Sequence, residues 1–261
     1  MNYDEKMNKI KVAVQLYSIR EDCAKDFRKA LEAVANMGYD GVEFAGFYGW
    51  KADDLRDLLE DLGLEVAGAH IGVDTLMGEE LRKTVEFHKA LGNKNLIVPG
   101  LPENMRNSKE AWLKTARLFN EISKKVSSEG LRVGYHNHTV EFQKFNGETA
   151  FDLFFKNTNQ EVIMQLDVGH VMRAGLSAND VLEIIKHYPG RLKTIHLKEY
   201  STMDKNALIG EGEIKWKELF KLCETVGGTE WYIVEQETYK YSPMECIRID
   251  LEKLRRMLEE T

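Results

Sequence analysis

Lys11-Val12-Ala13-Val14-Gln15-Leu16-Tyr17-Ser18-Ile19-Arg20-Glu21-Asp22 is the stretch that decides the fold. It opens as an apolar, β-branched strand and runs into a polar turn with no glycine in it. An open, doubly wound α/β sheet usually carries a Gly-rich phosphate loop at that place. The rest of the chain repeats the pattern. With the first strand over 11–17, further strands are expected near 41–44, 65–70, 95–98, 132–136, 162–167, 192–196 and 231–235. Helical patterns lie between them near 26–37, 52–62, 79–91, 109–128, 149–157, 178–187 and 214–226, and a last one follows over 244–259. Gly38, Gly63, Gly92 and Gly130 each follow a helical run, where a left-handed C-cap favours glycine. The strands read as continuous apolar runs, as in a parallel sheet covered on both faces. Eight strand–helix units in 261 residues are about 33 residues each, the size of a βα repeat. No Pro- or Ser-rich linker interrupts them. The expected fold is α/β, a single (β/α)8 TIM barrel over 10–261 behind a polar tail at 1–9.

Composition narrows the function. An apolar share of 43% with 30% charged residues describes a soluble globular chain. There are 36 basic and 43 acidic side chains, for a net charge of −7. The one short basic cluster, Arg255-Arg256, sits in a mixed-charge C-terminal helix and reads as a solvated face. Binding to nucleic acid, which needs clustered Lys and Arg, is not expected. The longest apolar runs, such as 96–99 and 231–234, fall far short of the roughly 20 residues that span a bilayer. Residues 1–9 are polar and do not read as a secretory signal. Cys23, Cys223 and Cys246 are odd in number and lack CxxC spacing, against both a disulfide framework and a cysteine-rich zinc module. A cytoplasmic address is expected, with no membrane partner and with a homo-oligomer left open.

In a (β/α)8 barrel the working face is the rim at the C-terminal strand ends. Strand five ends Gly134-Tyr135-His136-Asn137-His138 and strand six ends Gln165-Leu166-Asp167-Val168-Gly169-His170. Strand seven ends Ile195-His196-Leu197-Lys198, and strand eight ends Val234-Glu235-Gln236-Glu237. Four successive strands thus offer His136, Asp167, His196 and Glu235. Neighbouring strands lie under about 5 Å apart, so these side chains can converge on one ion. A single His near an apolar strand is more often a hydrogen-bonded structural residue, and His88 and His187, in helical stretches, take that reading. A single Asp or Glu at a strand end can simply cap the next helix. Four such groups together would be costly to bury unless an ion or a partner compensated them. Their mixed nitrogen and oxygen donors suit Mn²⁺, Zn²⁺, Co²⁺ or Fe²⁺ better than Mg²⁺ or Ca²⁺.

Over essentially its full length the chain resembles the xylose isomerase-like TIM-barrel family of sugar phosphate isomerases and epimerases. That family also holds inosose dehydratases and, more distantly, endonuclease IV. The resemblance rests on Val14-Gln15-Leu16-Tyr17-Ser18-Ile19-Arg20, Gly41-Val42-Glu43-Phe44 and Ala69-His70. It rests more strongly on Tyr135-His136-Asn137-His138-Thr139-Val140-Glu141-Phe142, Leu166-Asp167-Val168-Gly169-His170, His196-Leu197-Lys198 and Val234-Glu235-Gln236. It implies one divalent metal held by a strand-five carboxylate, the Asp of DxGH, the strand-seven His and the strand-eight Glu. Three of these fall on Asp167, His196 and Glu235. The fourth position carries His136, where similar epimerases usually have Glu. That exchange keeps a ligand but removes one of two carboxylate bases, and Glu141 is the candidate replacement. The trinuclear site of the endonuclease branch needs more histidines, and none lies between His196 and Trp231.

The chemistry expected on such a site is proton removal beside a sugar carbonyl, giving an enediolate whose charge a divalent metal stabilises. Glu235 is the candidate base. His170 and Lys198 are candidates for contacting substrate hydroxyls or the developing oxyanion. His170 as a partner that orients Asp167 and Lys198 as a mere counter-charge are the plainer readings. Gln15, Glu43, His70, His138 and Glu141 are the expected substrate-binding residues. Isomerisation or epimerisation is the reading taken, with dehydratase or lyase chemistry on a keto-sugar or inosose as the alternative. A metal-holding barrel that binds sugar without catalysis stays as a different class. The turn Ile209-Gly210-Glu211-Gly212-Glu213 sets glycines beside two carboxylates, which favours an unphosphorylated sugar or cyclitol. Phe47, Tyr48 and Trp50 could stack on a sugar face or simply pack.

Overall fold

The structure is a computed structural model and describes residues 10–260; the expected tail at 1–9 lies outside the described residues. Its strands are β1 (Lys11–Gln15), β2 (Gly41–Phe44), β3 (Glu65–His70), β4 (Asn95–Val98), β5 (Arg132–His136), β6 (Lys144–Phe145), β7 (Glu148–Thr149), β8 (Ile163–Asp167), β9 (Thr194–Leu197) and β10 (Trp231–Val234). Among the described residues, eight of them close into one parallel barrel in the order β1-β10-β9-β8-β5-β4-β3-β2, and β2 pairs back onto β1. The pair β6–β7 is a separate antiparallel hairpin. The helices are α1 (Arg20–Lys25), α2 (Phe27–Met37), α3 (Ala52–Leu62), α4 (Glu80–Leu91), α5 (Lys109–Ser127), α6 (Ala150–Phe155), α7 (Val168–Arg173), α8 (Ala178–His187), α9 (Trp216–Leu222) and α10 (Pro243–Glu259). The (β/α)8 expectation stands.

The long helices follow from an apolar stripe and a cap. In α5, Trp112, Ala116, Phe119, Ile122 and Val126 recur every three or four residues and are buried. Ser108 starts that helix by accepting from Ala111 N at 3.1 Å. β1 is shorter than expected because Gln15 accepts from Tyr17 N at 3.0 Å and turns the chain into a 3-10 segment, Leu16–Ile19.

The strand pleat sorts side chains between two environments. Val12, Val14, Val42, Phe44, Met164, Leu166, Ile195 and Leu197 join the large core under the helices. Ala13, Ala67, Trp231 and Ile233 form a separate small apolar cluster, a floor within the lumen. Toward the C-terminal strand ends the lumen turns polar: Gln15, Glu43, Gln165, Asp167 and His196 are fully buried there. Polar groups taken out of water must bond one another or hold an ion.

Candidate active site

β5 delivers His136 to the lumen, and the next residue sets its neighbour. Asn137 Oδ1 accepts from Asp167 N at 2.9 Å and its Nδ2 donates to the Asp167 carbonyl at 3.3 Å, stitching the ends of β5 and β8. Asp167 caps α7, its Oδ1 accepting from His170 N at 2.8 Å. Its Oδ2 is buried and accepts no well-aligned hydrogen bond; the nearest cation is Lys198 Nζ at 2.8 Å. His196 lies in β9, and Glu235 is one residue past β10. One donor atom from each of His136, Asp167, His196 and Glu235 lies within 4.8 Å of the others, and all four residues are buried. Two imidazoles and two carboxylates at that spacing fit a divalent ion of the Mn, Zn, Co or Fe kind, and a buried carboxylate oxygen that takes no well-aligned hydrogen bond is one that such an ion would engage.

Electrostatics divide the two histidines. His196 donates from Nδ1 to Glu235 Oε2 at 2.8 Å and from Nε2 to Glu43 Oε2 at 2.6 Å. Burial works against its charge, but Glu43 and Glu235 lift its pKa to about 10. His136 is pushed well below the usual imidazole value by burial, helped by His196 and His70, so it stays neutral with a lone pair to offer. Burial disfavours an ionised Glu235, yet Lys198 and His196 hold its pKa well below the carboxylate range. Asp167 is lowered too, against burial, by His170 and Lys198. Lys198 is pushed up despite its burial by Asp167, Glu235 and Glu237.

The expected substrate residues part company here. Gln15 and Glu43 do not line an open rim: both are fully buried among the lumen groups, Gln15 Nε2 donating to Glu43 Oε2 at 2.7 Å. Glu43 is therefore a partner of His196. Gly68 makes room for it, since a Cβ there would sit 2.8 Å from Glu43 Oε1. His70, nearly buried, meets Gln165 Oε1 at 2.7 Å and Glu43 Oε2 at 3.3 Å. Glu141 is buried and accepts from Tyr135 Oη at 2.6 Å and His138 N at 2.7 Å, so it braces the wall beside the site. His138 and His170 remain at the site, forming with His136 a group of three donors within 4.8 Å. Phe47 packs on Phe44, Phe87 and His88, and Trp50 on Phe27, leaving Tyr48 as the exposed ring of the three.

Two residues escaped the sequence reading. Gln165 touches His70, joins His136 Nδ1 at 3.1 Å, and donates to Glu43 Oε1 at 2.6 Å and Thr194 Oγ1 at 2.9 Å. Glu237 Oε2 lies 2.8 Å from Lys198 Nζ and 3.5 Å from His170 Nε2. Gln165 stands two residues before Asp167 on β8, and Glu237 two residues after Glu235 in the loop past the end of β10. For Gln165 the two-residue repeat of a strand was the available signal; for Glu237, in a loop, no periodicity applied.

The barrel and the carboxylate–histidine cluster at its C-terminal strand ends define a class of protein. Residues 31–257 match the family described as xylose isomerase-like TIM barrel, and the chain belongs to that family. It is 23% identical to an inosose dehydratase of Erwinia tasmaniensis, across 88% of this chain and 91% of that one. A sugar phosphate isomerase/epimerase from Parabacteroides distasonis superposes with a TM-score of 0.81 at 23% identity, covering 97% of this chain and 96% of that one. A D-allulose 3-epimerase from Methylomonas gives a TM-score of 0.70 at 14% identity, over 95% and 97% of the two chains. The two structural likenesses establish the fold alone.

Proposed function

We propose that the chain is a divalent-metal-dependent enzyme that removes the proton beside the carbonyl of an unphosphorylated keto-sugar or inosose, with loss of water as the outcome. The observation that carries this reading is the uneven use of the carboxylates around the four-donor cluster. Glu235 makes its close contacts to His196 and Lys198 through Oε2 alone, so Oε1 takes no hydrogen bond from the described residues and is the atom for a base. Asp167 has one oxygen tied to the α7 cap. Bound by His136, Asp167, His196 and Glu235, a divalent ion would supply Lewis-acid stabilisation of the enediolate charge.

Two-sided epimerisation needs a second opposed carboxylate, but His136 stands in that place and Glu141 faces the wall. One base with the Lys198 ammonium and the His170 imidazole on the same side suits elimination. Glu235 takes the proton, the C–H electrons form the conjugated double bond, and the β-carbon–oxygen bond breaks. The departing hydroxyl takes a proton from the Lys198–His170 pair and leaves as water. The name of the Erwinia relative supports the same outcome. The loop after β9 supports a substrate without phosphate. Its amides at Leu208, Ile209 and Gly210 already donate to Glu211, Asp250 and Glu199.

The test is product analysis by NMR and mass spectrometry on a panel of inososes, ketohexoses and their phosphates. Loss of one water from an unphosphorylated member is expected. An isomer of unchanged mass would instead make the protein an isomerase by the same first step, and turnover confined to phosphates would overturn the substrate class.

A further inference from the structure

The Lys198 ammonium sits among four acceptors: Asp167 Oδ2 at 2.8 Å, Glu235 Oε2 at 2.9 Å, Glu237 Oε2 at 2.8 Å and His170 Nε2 at 3.0 Å. An ammonium has three protons to give, so four partners at these distances are more than it can satisfy at once. The four divide into two pairs. Asp167 and Glu235 belong to the four-donor metal cluster, and Glu237 and His170 do not. The oxygens that Lys198 touches are the same ones turned toward the histidines. Asp167 Oδ2 is 4.0 Å from both His136 Nε2 and His196 Nδ1, and Glu235 Oε2 is 2.8 Å from His196 Nδ1.

We infer that Lys198 is the resident counter-ion of the metal-free site, and that a divalent ion displaces its ammonium from Asp167 and Glu235 onto Glu237 and His170. This rests on the metal site of the proposed function and adds how that site is held before loading. Two buried carboxylates without a cation would be strongly destabilising, so a competing internal charge keeps the metal-free barrel folded. The same charge opposes the incoming ion, both by repulsion and by occupying its oxygens. Glu237, a quarter exposed at its side chain, and His170 form a ready second seat. Gly169 leaves room for the lysine stem, since a Cβ there would meet Lys198 Cγ at 2.9 Å.

The test compares metal-stripped wild type with Lys198→Met, using Zn²⁺ and Mn²⁺ titrations by calorimetry and thermal midpoints with and without metal. The variant should bind metal at least about tenfold more tightly. Stripped of metal it should melt below stripped wild type, and loading should recover more of its midpoint. Equal or weaker binding in Lys198→Met overturns the displacement while leaving the metal site standing. Absence of binding in both proteins overturns the metal site as well. Should the variant not fold, crystal structures of stripped and Zn²⁺-loaded wild type decide. In the loaded protein Nζ should leave Asp167 and Glu235 and keep Glu237; an ammonium still in contact with both oxygens refutes displacement.

Discussion

Single atoms carry most of the chemistry proposed for this barrel. Glu235 presents one oxygen to His196 and Lys198 and keeps the other free of hydrogen bonds from the described residues. Glu235→Gln should therefore keep an equivalent of metal while proton abstraction falls by about 10²-fold or more. Metal titration and solvent-exchange rates on one preparation check both halves. His196 makes a second prediction. With its pKa lifted to about 10 in the metal-free site, it is protonated at neutral pH and must lose that proton to ligate. Binding should release about one proton per ion, and affinity should rise with pH up to the region of 10. Calorimetry in buffers of different ionisation enthalpy reads the proton count; no buffer dependence would count against His196 as a ligand.

At the scale of elements, what matters is how strand ends and loops are tied. Asn137 joins the ends of β5 and β8 through the Asp167 backbone. Asn137→Ala should lower the melting midpoint and weaken metal binding about tenfold by loosening Asp167. In the loop after β9, Asp250 of α10 accepts from Ile209 N at 2.8 Å, but its other oxygen has no partner and burial lifts its pKa to about 7. A carboxyl whose folded pKa is raised adds stability that is complete below the unfolded value near 4. That contribution is lost as pH rises through 7, at about 1.4 kcal/mol per unit. The urea midpoint of Asp250→Asn should therefore gain on wild type between pH 5 and 8. A difference independent of pH would contradict a protonated Asp250. The limits of several helices were legible because caps announce them, whereas β1, β9 and α9 came out with other bounds than the expected 11–17, 192–196 and 214–226. Asp26 caps α2, Ser108 caps α5, and Gly38, Gly63 and Gly92 close their helices in the left-handed region. Of the three six-residue helices, α6 falls inside the expected stretch 149–157, but α1 and α7, each starting within a few residues of a strand end, left too few positions for a 3.6-residue pattern to stand out.

For the whole molecule, the closed barrel turns a linear list of strand ends into a facing set. His136, Asp167, His196 and Glu235 could be read in chain order because they end consecutive barrel strands. The roles of Gln15, Glu43 and His70 could not, because only closure brings β1, β2 and β3 across the lumen from β8 and β9. Charge is where that closure shows most: Glu43, far along the chain from His196, meets it at 2.6 Å. Because the unfolded chain has no such cluster, metal should stabilise the fold. An ion at a hundred times its dissociation constant adds about 2.7 kcal/mol, seen as a midpoint that drops on chelation. The most direct measurement is proton NMR of inososes and keto-sugars in D₂O with the Mn²⁺-loaded protein, the chelated protein and Glu235→Gln. Deuterium should enter beside the carbonyl with the loaded wild type and with neither control. Exchange that survives chelation or the loss of Glu235, or metal that binds with no exchange on any member of the panel, would contradict proton abstraction by Glu235 at a metal site in this barrel.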